Sequence, residues 1–186
     1  MSKKLTLVFL LTFFASNVAH AIILDFSGLA SGNTGSSSLT VGDATFDVVG
    51  GTVFVYGPGD FGNFDNGGIC ALSGGNCETD WTLTFDYAVT DFIFEAAVYD
   101  PVDSVLVEAF NGATSLGVID VFENNTYSFG SAVITSLYFD DSSTGAGFGF
   151  GDFSFNRSTA VPEGGTLAFL AIGLLGVVVQ RLKRVL

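Results

Sequence analysis

Between Ile22 and Ala160 the apolar positions recur mainly at every second residue. Trp81, Leu83 and Phe85 alternate with Thr82, Thr84 and Asp86; Phe92, Phe94, Ala96 and Val98 alternate with Ile93, Glu95, Ala97 and Tyr99. Val105, Val107 and Ala109 alternate with Ser104, Leu106 and Glu108. Side chains of a strand point to opposite faces in turn, so this period marks strands with one face buried. Similar runs lie at Ile22–Phe26, Thr45–Val49, Val53–Tyr56, Leu116–Phe122, Val133–Phe139 and Phe148–Phe155. Asp100-Pro101, Asn111-Gly112, Asn124-Asn125 and the stretch Asp141 to Gly145 supply turn chemistry between them. No stretch of 22–160 carries a helical period. About nine short strands predict an all-β fold, a single β-sandwich or jelly roll. Neither a repeat nor a Pro-rich linker divides it, and the loop Ser31 to Ser38 (SGNTGSSS) is too short to do so.

The two ends break this pattern. Lys3 and Lys4 precede an apolar run from Leu5 to Ala15, and Ala19-His20-Ala21 follows. A positive start, a short apolar stretch and an A-x-A end predict a secretory signal peptide over 1–21, read by signal peptidase. As helix the eleven apolar residues rise about 17 Å, short of a hydrocarbon core of about 30 Å. At the other end Val161-Pro162-Glu163-Gly164-Gly165 leads into a run from Leu167 to Val179 with no polar face, then Gln180-Arg181-Leu182-Lys183-Arg184. Thirteen residues rise about 20 Å as helix. Basic residues only on the far side predict that this segment halts in the inner membrane with Arg181, Lys183 and Arg184 in the cytoplasm.

The segment 161–186 resembles a PEP-CTERM sorting signal of the VPE/VPD type. The matching parts are Val161-Pro162-Glu163, the Gly173-Leu174-Leu175-Gly176 within the apolar helix, and the basic cluster Arg181, Lys183 and Arg184. Gly164 stands where the common motif has a second proline. The resemblance implies a Gram-negative-type bacterium and an exosortase that cuts near the motif. It also implies delivery to the outer surface or extracellular matrix, alongside exopolysaccharide. The ectodomain is loosely similar to other such exoproteins at Ile23-Leu24-Asp25-Phe26 and Gly149 to Phe155, and more weakly to jelly-roll carbohydrate-binding modules. Three parts follow: signal peptide 1–21, ectodomain 22–160 and sorting segment 161–186.

Composition narrows the chemistry. The 186 residues are 48% hydrophobic and 13% charged, with mean hydropathy +0.53 and net charge −13. Twenty Phe and 24 Gly exclude a disordered acidic tail, and the acidic balance argues against a nucleic-acid partner. The ectodomain holds eighteen acidic residues and Arg157 as its one base, a net charge of −17. Such a surface keeps an apolar protein soluble by self-repulsion. Removal of 1–21 takes away His20, the only histidine, which excludes Ser-His-Asp and Cys-His catalysis and imidazole zinc sites. Cys70 and Cys77 are the only cysteines, and an oxidising compartment predicts that they staple their loop as a disulfide.

Candidate binding chemistry is of two kinds. Ca²⁺ takes six to eight oxygen ligands. Carboxylates that could supply them lie at Asp60 and Asp65 beside Asn63 and Asn66, at Asp140 and Asp141, and at Asp25 and Asp152 on the first and last strands. None forms an EF-hand loop. A sugar platform needs half-exposed aromatic rings. Trp81, Tyr56, Tyr99 and Tyr127 are the candidates; Trp81 is in phase with core positions, and Tyr127 follows a turn and is expected to be exposed. A glycosidase needs paired carboxylates, and Glu78, Glu95, Glu108 and Glu123 are the ectodomain's only glutamates; nothing selects a pair. The sequence therefore predicts a non-catalytic surface or matrix protein with a structural or interaction role. The alternative is a calcium-dependent carbohydrate-binding module at the envelope.

Overall fold

The computed structural model describes residues 20–61, 64–98, 104–141 and 147–158. Residues 1–19 of the expected signal peptide and all of the sorting segment 161–186 lie outside that range, as do Tyr99 and Asn63. No helix among the described residues is long and apolar enough to cross a membrane. The fold is all-β and antiparallel, with twelve strands among the described residues rather than about nine. They are β1 (Ile22–Ile23), β2 (Gly32–Asn33), β3 (Ser38–Val41), β4 (Ala44–Val48), β5 (Thr52–Tyr56) and β6 (Gly68–Leu72). These are followed by β7 (Trp81–Val98), β8 (Val105–Asn111), β9 (Thr114–Val121), β10 (Asn125–Ser128), β11 (Ile134–Asp141) and β12 (Phe148–Arg157).

The eighteen residues of β7 organise everything else. Its first half runs between β4 and β11, and its second half between β12 and β10. One hydrogen-bonded network therefore folds into two layers that share this strand. The outer layer in sequence order of pairing is β3-β4-β7-β11-β8-β9; the second is β2-β5-β6-β12-β7-β10, with β1 against β12. Rings of one layer meet rings of the other: Phe46 and Phe153 at 5.6 Å, Trp81 and Phe150 at 5.4 Å, Phe139 and Phe150 at 5.0 Å, and Phe85 and Phe155 at 5.0 Å. That face-to-face aromatic core makes the fold a sandwich. Each fully buried Phe contributes about 1.5–3 kcal/mol of transfer free energy.

Two bulges keep the core in phase. Along β12 the inward residues are Phe148 and Phe150, then Phe153 and Phe155; along β7 they are Trp81, Leu83, Phe85 and Val89, then Phe92 and Phe94. The parity changes at Asp152 and at Asp91, where the β7–β12 register slips. Both residues have left-handed backbones, φ 45° and 53°. Aspartate tolerates that region better than most side chains. Each carboxylate also ties its bulge down. Asp91 Oδ2 accepts from Asn156 Nδ2 at 3.0 Å, and Asp152 accepts the backbone amides of Asp65 and Asn66, both at 2.8 Å.

The Gly/Phe alternation of β12 has a matching cause. Its phenylalanines face the core, and Gly149 and Gly151 face outward. There the loop after β5 folds back and lays Phe61 and Phe64 on the strand. A Cβ at Gly149 would lie 3.1 Å from the Phe61 ring, and one at Gly151 2.5 Å from the Phe64 ring. A small satellite cluster of Tyr56, Cys70 and Cys77, packed by Phe54, Phe61 and Leu72, forms on this side. The expected disulfide Cys70–Cys77 is present, with Cα atoms 5.4 Å apart.

Candidate functional site

The outer layer β3-β4-β7-β11-β8-β9 buries Phe46, Trp81, Leu83, Leu137, Phe139, Val107 and Ala109. Period two then sends the intervening side chains to the opposite face. Register lines them up in rows. One row runs Ser38, Asp47, Thr82, Tyr138, Glu108 and Val118 across six strands. The next runs Thr40, Thr45, Thr84, Ser136, Phe110 and Ser115. A third brings Asp140, Leu106 and Asp120 side by side. With strands about 4.8 Å apart, the face is about 24 Å wide.

Tyr138 stands near the middle of this face, half-buried. Its hydroxyl donates to Asp80 Oδ2 at 2.6 Å, and Asp80 Oδ1 accepts the Asp141 amide at 3.1 Å. The ring is thereby pinned at one end. The hydrogen bond to the Asp80 carboxylate, then burial, pushes the phenol up to about 12. Glu108 lies directly opposite Tyr138, with Leu106 and Phe110 two residues away on either side and Val118 across β9. Asp47, Glu108, Asp120 and Asp140 accept no hydrogen bond among the described residues, so their oxygens are open to solvent or ligand.

Several carboxylates elsewhere are committed to the fold. Asp43 accepts the Tyr87 hydroxyl at 2.6 Å and pairs with Arg157 at 3.5 Å, while the Arg157 guanidinium lies 3.8 Å from the Tyr87 ring centre. Burial, then the Asp43 contact, raises the Tyr87 phenol. Asp60 Oδ2 accepts from the Gly57 amide at 2.8 Å and the Ser31 hydroxyl at 3.0 Å. Asp25 accepts the Ser27 amide at 2.8 Å, and the Ser27 hydroxyl and amide hold it below the usual carboxylate range.

Of the candidate calcium ligands, Asp25 and Asp152 lie on neighbouring segments. The first and last strands are neighbours, with Ile23 opposite Ser154 and the Leu24 amide donating to Phe153 O, so Asp25 and Asp152 occupy adjacent positions. Asp65 joins them through its amide, whereas Asp60 turns to its own loop. Among the described residues no three His, Cys, Asp or Glu side chains gather as a metal-holding group.

The aromatic candidates fare differently. Trp81 is 1% exposed and stacks on Phe139 with centroids 3.6 Å apart, and Tyr56 is buried with its hydroxyl 3.1 Å from Cys77 Sγ. Tyr127 corrects the expectation of an exposed ring. It is half-buried, stacked on Phe94 at 5.5 Å, and its hydroxyl donates to Glu123 O at 3.1 Å. Strand β10 places it opposite Phe94, so it closes the core's edge instead of projecting from a turn. Tyr138, which the sequence reading passed over, is the ring on an open face. The signal was there: Leu137 and Phe139 bracket it at core positions. Among the glutamates, Glu95 accepts from Thr126 Oγ1 at 3.3 Å, lining a polar cleft of about 220 Å³ with Asn124 and Asn125.

No family model matches the chain, and no curated protein does. Solved structures that match the chain include carbohydrate-binding modules. One is a variant of a family 29 carbohydrate-binding module, with TM-score 0.44 and 13% identity, over 74% of this chain and 92% of that one. A second, a variant complexed with mannohexaose, gives TM-score 0.44 and 12% identity over 74% and 92%. A third gives TM-score 0.37 and 16% identity over 76% and 93%.

Proposed function

We propose that the ectodomain is a glycan-binding module carried by an exported chain, and that its ligand face is the outer surface around Tyr138. The observation that carries this reading is the register. It sets one pinned aromatic ring among uncommitted carboxylates and a ladder of hydroxyls, on a face wide enough for several sugar rings. A pyranose offers hydroxyl donors at its rim and apolar C–H groups on its faces. Carboxylates such as Asp47 and Glu108 accept the former in charge-assisted hydrogen bonds, and the Tyr138 ring, with Phe110 and Leu106 beside it, suits the latter. The residue pattern of 1–21 supports export, and that of 161–186 supports sorting to the surface or matrix. In this reading the module joins the cell envelope to exopolysaccharide without catalysing its cleavage.

Affinity electrophoresis of the exported protein through gels containing neutral mannan or glucan tests the reading. Retardation is expected, weakened about tenfold or more in Tyr138→Ala and Glu108→Ala, and kept in Tyr138→Phe, which retains the ring. Migration unaffected by every neutral polysaccharide would overturn the module; retardation unchanged in Tyr138→Ala would move the ligand face elsewhere. A parallel gel with chelator separates the face alone from a calcium-assisted site at Asp25, Asp60, Asp65 and Asp152.

A further inference from the structure

The side of the sandwich opposite Tyr138 carries a cleft of its own. Along the second half of β7 the core takes Phe92, Phe94 and Ala96, so Glu95 and Ala97 face outward from the second layer. Register sets Glu95 between Gly151 of β12 and Thr126 of β10. On the β12 flank the Phe64 ring covers Gly151. On the β10 flank the strand begins only at Asn125, and Asn124 Oδ1 accepts the Val98 amide at 2.7 Å where a strand residue would otherwise pair. Between the flanks lies the polar cleft of about 220 Å³, lined by Glu95, Ala96, Ala97, Asn124, Asn125 and Thr126. Asn125 is committed, its Oδ1 to the Thr126 amide at 2.8 Å and its Nδ2 to Glu123 Oε1 at 3.3 Å. Glu95 is not: Oε1 accepts the Thr126 hydroxyl at 3.3 Å, and among the described residues neither its Oε2 nor Asn124 Nδ2 makes a hydrogen bond.

We propose that this cleft binds an amine-bearing sugar residue, its ammonium on Glu95 and a neighbouring hydroxyl accepting from Asn124 Nδ2. The inference rests on the reading of the ectodomain as a glycan-binding module and adds a second site of different chemistry. Glu95 is the one charged group lining the cleft, and no aromatic ring lines it, so charge and hydrogen bonds select the ligand instead of stacking. An ammonium donates three hydrogen bonds and accepts none, which matches a half-buried carboxylate with an oxygen to spare, and such charge-assisted bonds are the strong ones. A single carboxylate is too little for Ca²⁺, which takes six to eight oxygens. The field of an ectodomain carrying −17 draws a cationic glycan in and turns uronic or phosphorylated ones away. The volume falls below the about 300–1,000 Å³ of clefts that take drug-sized ligands, which suits one sugar residue. With a site on each side, one module ties two glycan chains together.

Isothermal titration calorimetry on the full exported chain in nonionic detergent tests the cleft, at about pH 6 where amines keep their proton. The probes are a glucosamine trisaccharide and its fully N-acetylated counterpart, which has lost the charge. The amine form is expected to bind about tenfold or more tighter than the acetylated one, and to weaken as salt rises from about 0.05 to 0.5 M. Glu95→Gln keeps the shape and should cost about tenfold in affinity for the amine form. Asp86→Asn, at an exposed position on the first half of β7, removes the same charge elsewhere and should leave that affinity within about twofold. Three results would each overturn the proposal: no heat with the amine form, equal affinity for the acetylated form, and a Glu95→Gln affinity no lower than that of Asp86→Asn, which would mean attraction by the general field alone. Retardation of the unaltered protein by neutral mannan tells the two readings apart. Retardation without glucosamine binding removes the cleft and keeps the module, whereas loss of both removes the module as well.

Discussion

At the residue scale, Gly151 shows how an apparently featureless position is fixed by a distant one. A Cβ there would meet the Phe64 ring at 2.5 Å and the Gly67 carbonyl oxygen at 2.7 Å. Neither can retreat, since the loop is held by Asp152 through two amides. Gly151→Ala should therefore destabilise the protein by about 1–3 kcal/mol through overpacking, read as a lowered urea midpoint. Gly28→Ala, with nothing within 4 Å, is the control and should be nearly silent. Tyr138 gives a second residue-scale outcome. Its folded phenol titrates at about 12 against an ordinary value of 10.0. The contact therefore stabilises the fold fully below pH 10 and is lost as pH rises through 12. In an ultraviolet titration the Tyr138 phenol should ionise late, and Tyr138→Phe should remove that late step and flatten the stability loss over the same window.

At the element scale the alternation of apolar residues identified most strands and which side of them is buried, because that pattern is local. It placed Trp81 in the core correctly. What it missed was set by partners far along the chain. β6 reads Gly-Ile-Cys-Ala-Leu with four residues buried in succession, since the satellite cluster covers its second face; no alternation survives there. β2 and β10 are polar and short, and exist through pairing with β5 and β7. The runs around Trp81 and Phe92, separate alternations in the sequence, are one strand because Asp91 absorbs the change of parity as a bulge. The candidate face was legible residue by residue in the same alternation, but its rows depend on register across six strands, which no local pattern encodes. The Cys70–Cys77 staple is an element-scale feature of another kind. Its eight-residue ring should contribute about 2–3 kcal/mol in the chain-entropy account. Cys70→Ser/Cys77→Ser should lower stability by that amount under oxidising conditions and make it indifferent to reductant.

For the whole molecule, the shared strand β7 makes the two layers a single cooperative unit. Trp81 lies between them, so its fluorescence reports on layer packing while far-ultraviolet dichroism reports on strands. The two denaturation curves should superimpose; separated transitions would mean that the layers come apart before the sheets do. The proposed export is tested on the full chain. Expressed in a host with an exosortase, the product should have an intact mass running from Ile22 to a cut near Pro162. A mass extending through Leu186 would instead indicate a plain membrane anchor.

The place of β12 has a mechanical consequence. Arg157 is the end of a ten-residue strand flanked by β7 on one side and by β6 and β1 on the other. A pull transmitted through that end acts along the strand. It loads the cross-strand hydrogen bonds together in shear, where an edge strand or a hairpin would yield one bond at a time by peeling. With the Phe61 and Phe64 rings laid over its glycines, β12 is also braced against sliding. A domain that holds a polymer on one face while tethered from this strand would stretch its linker and its ligand before it gave way itself.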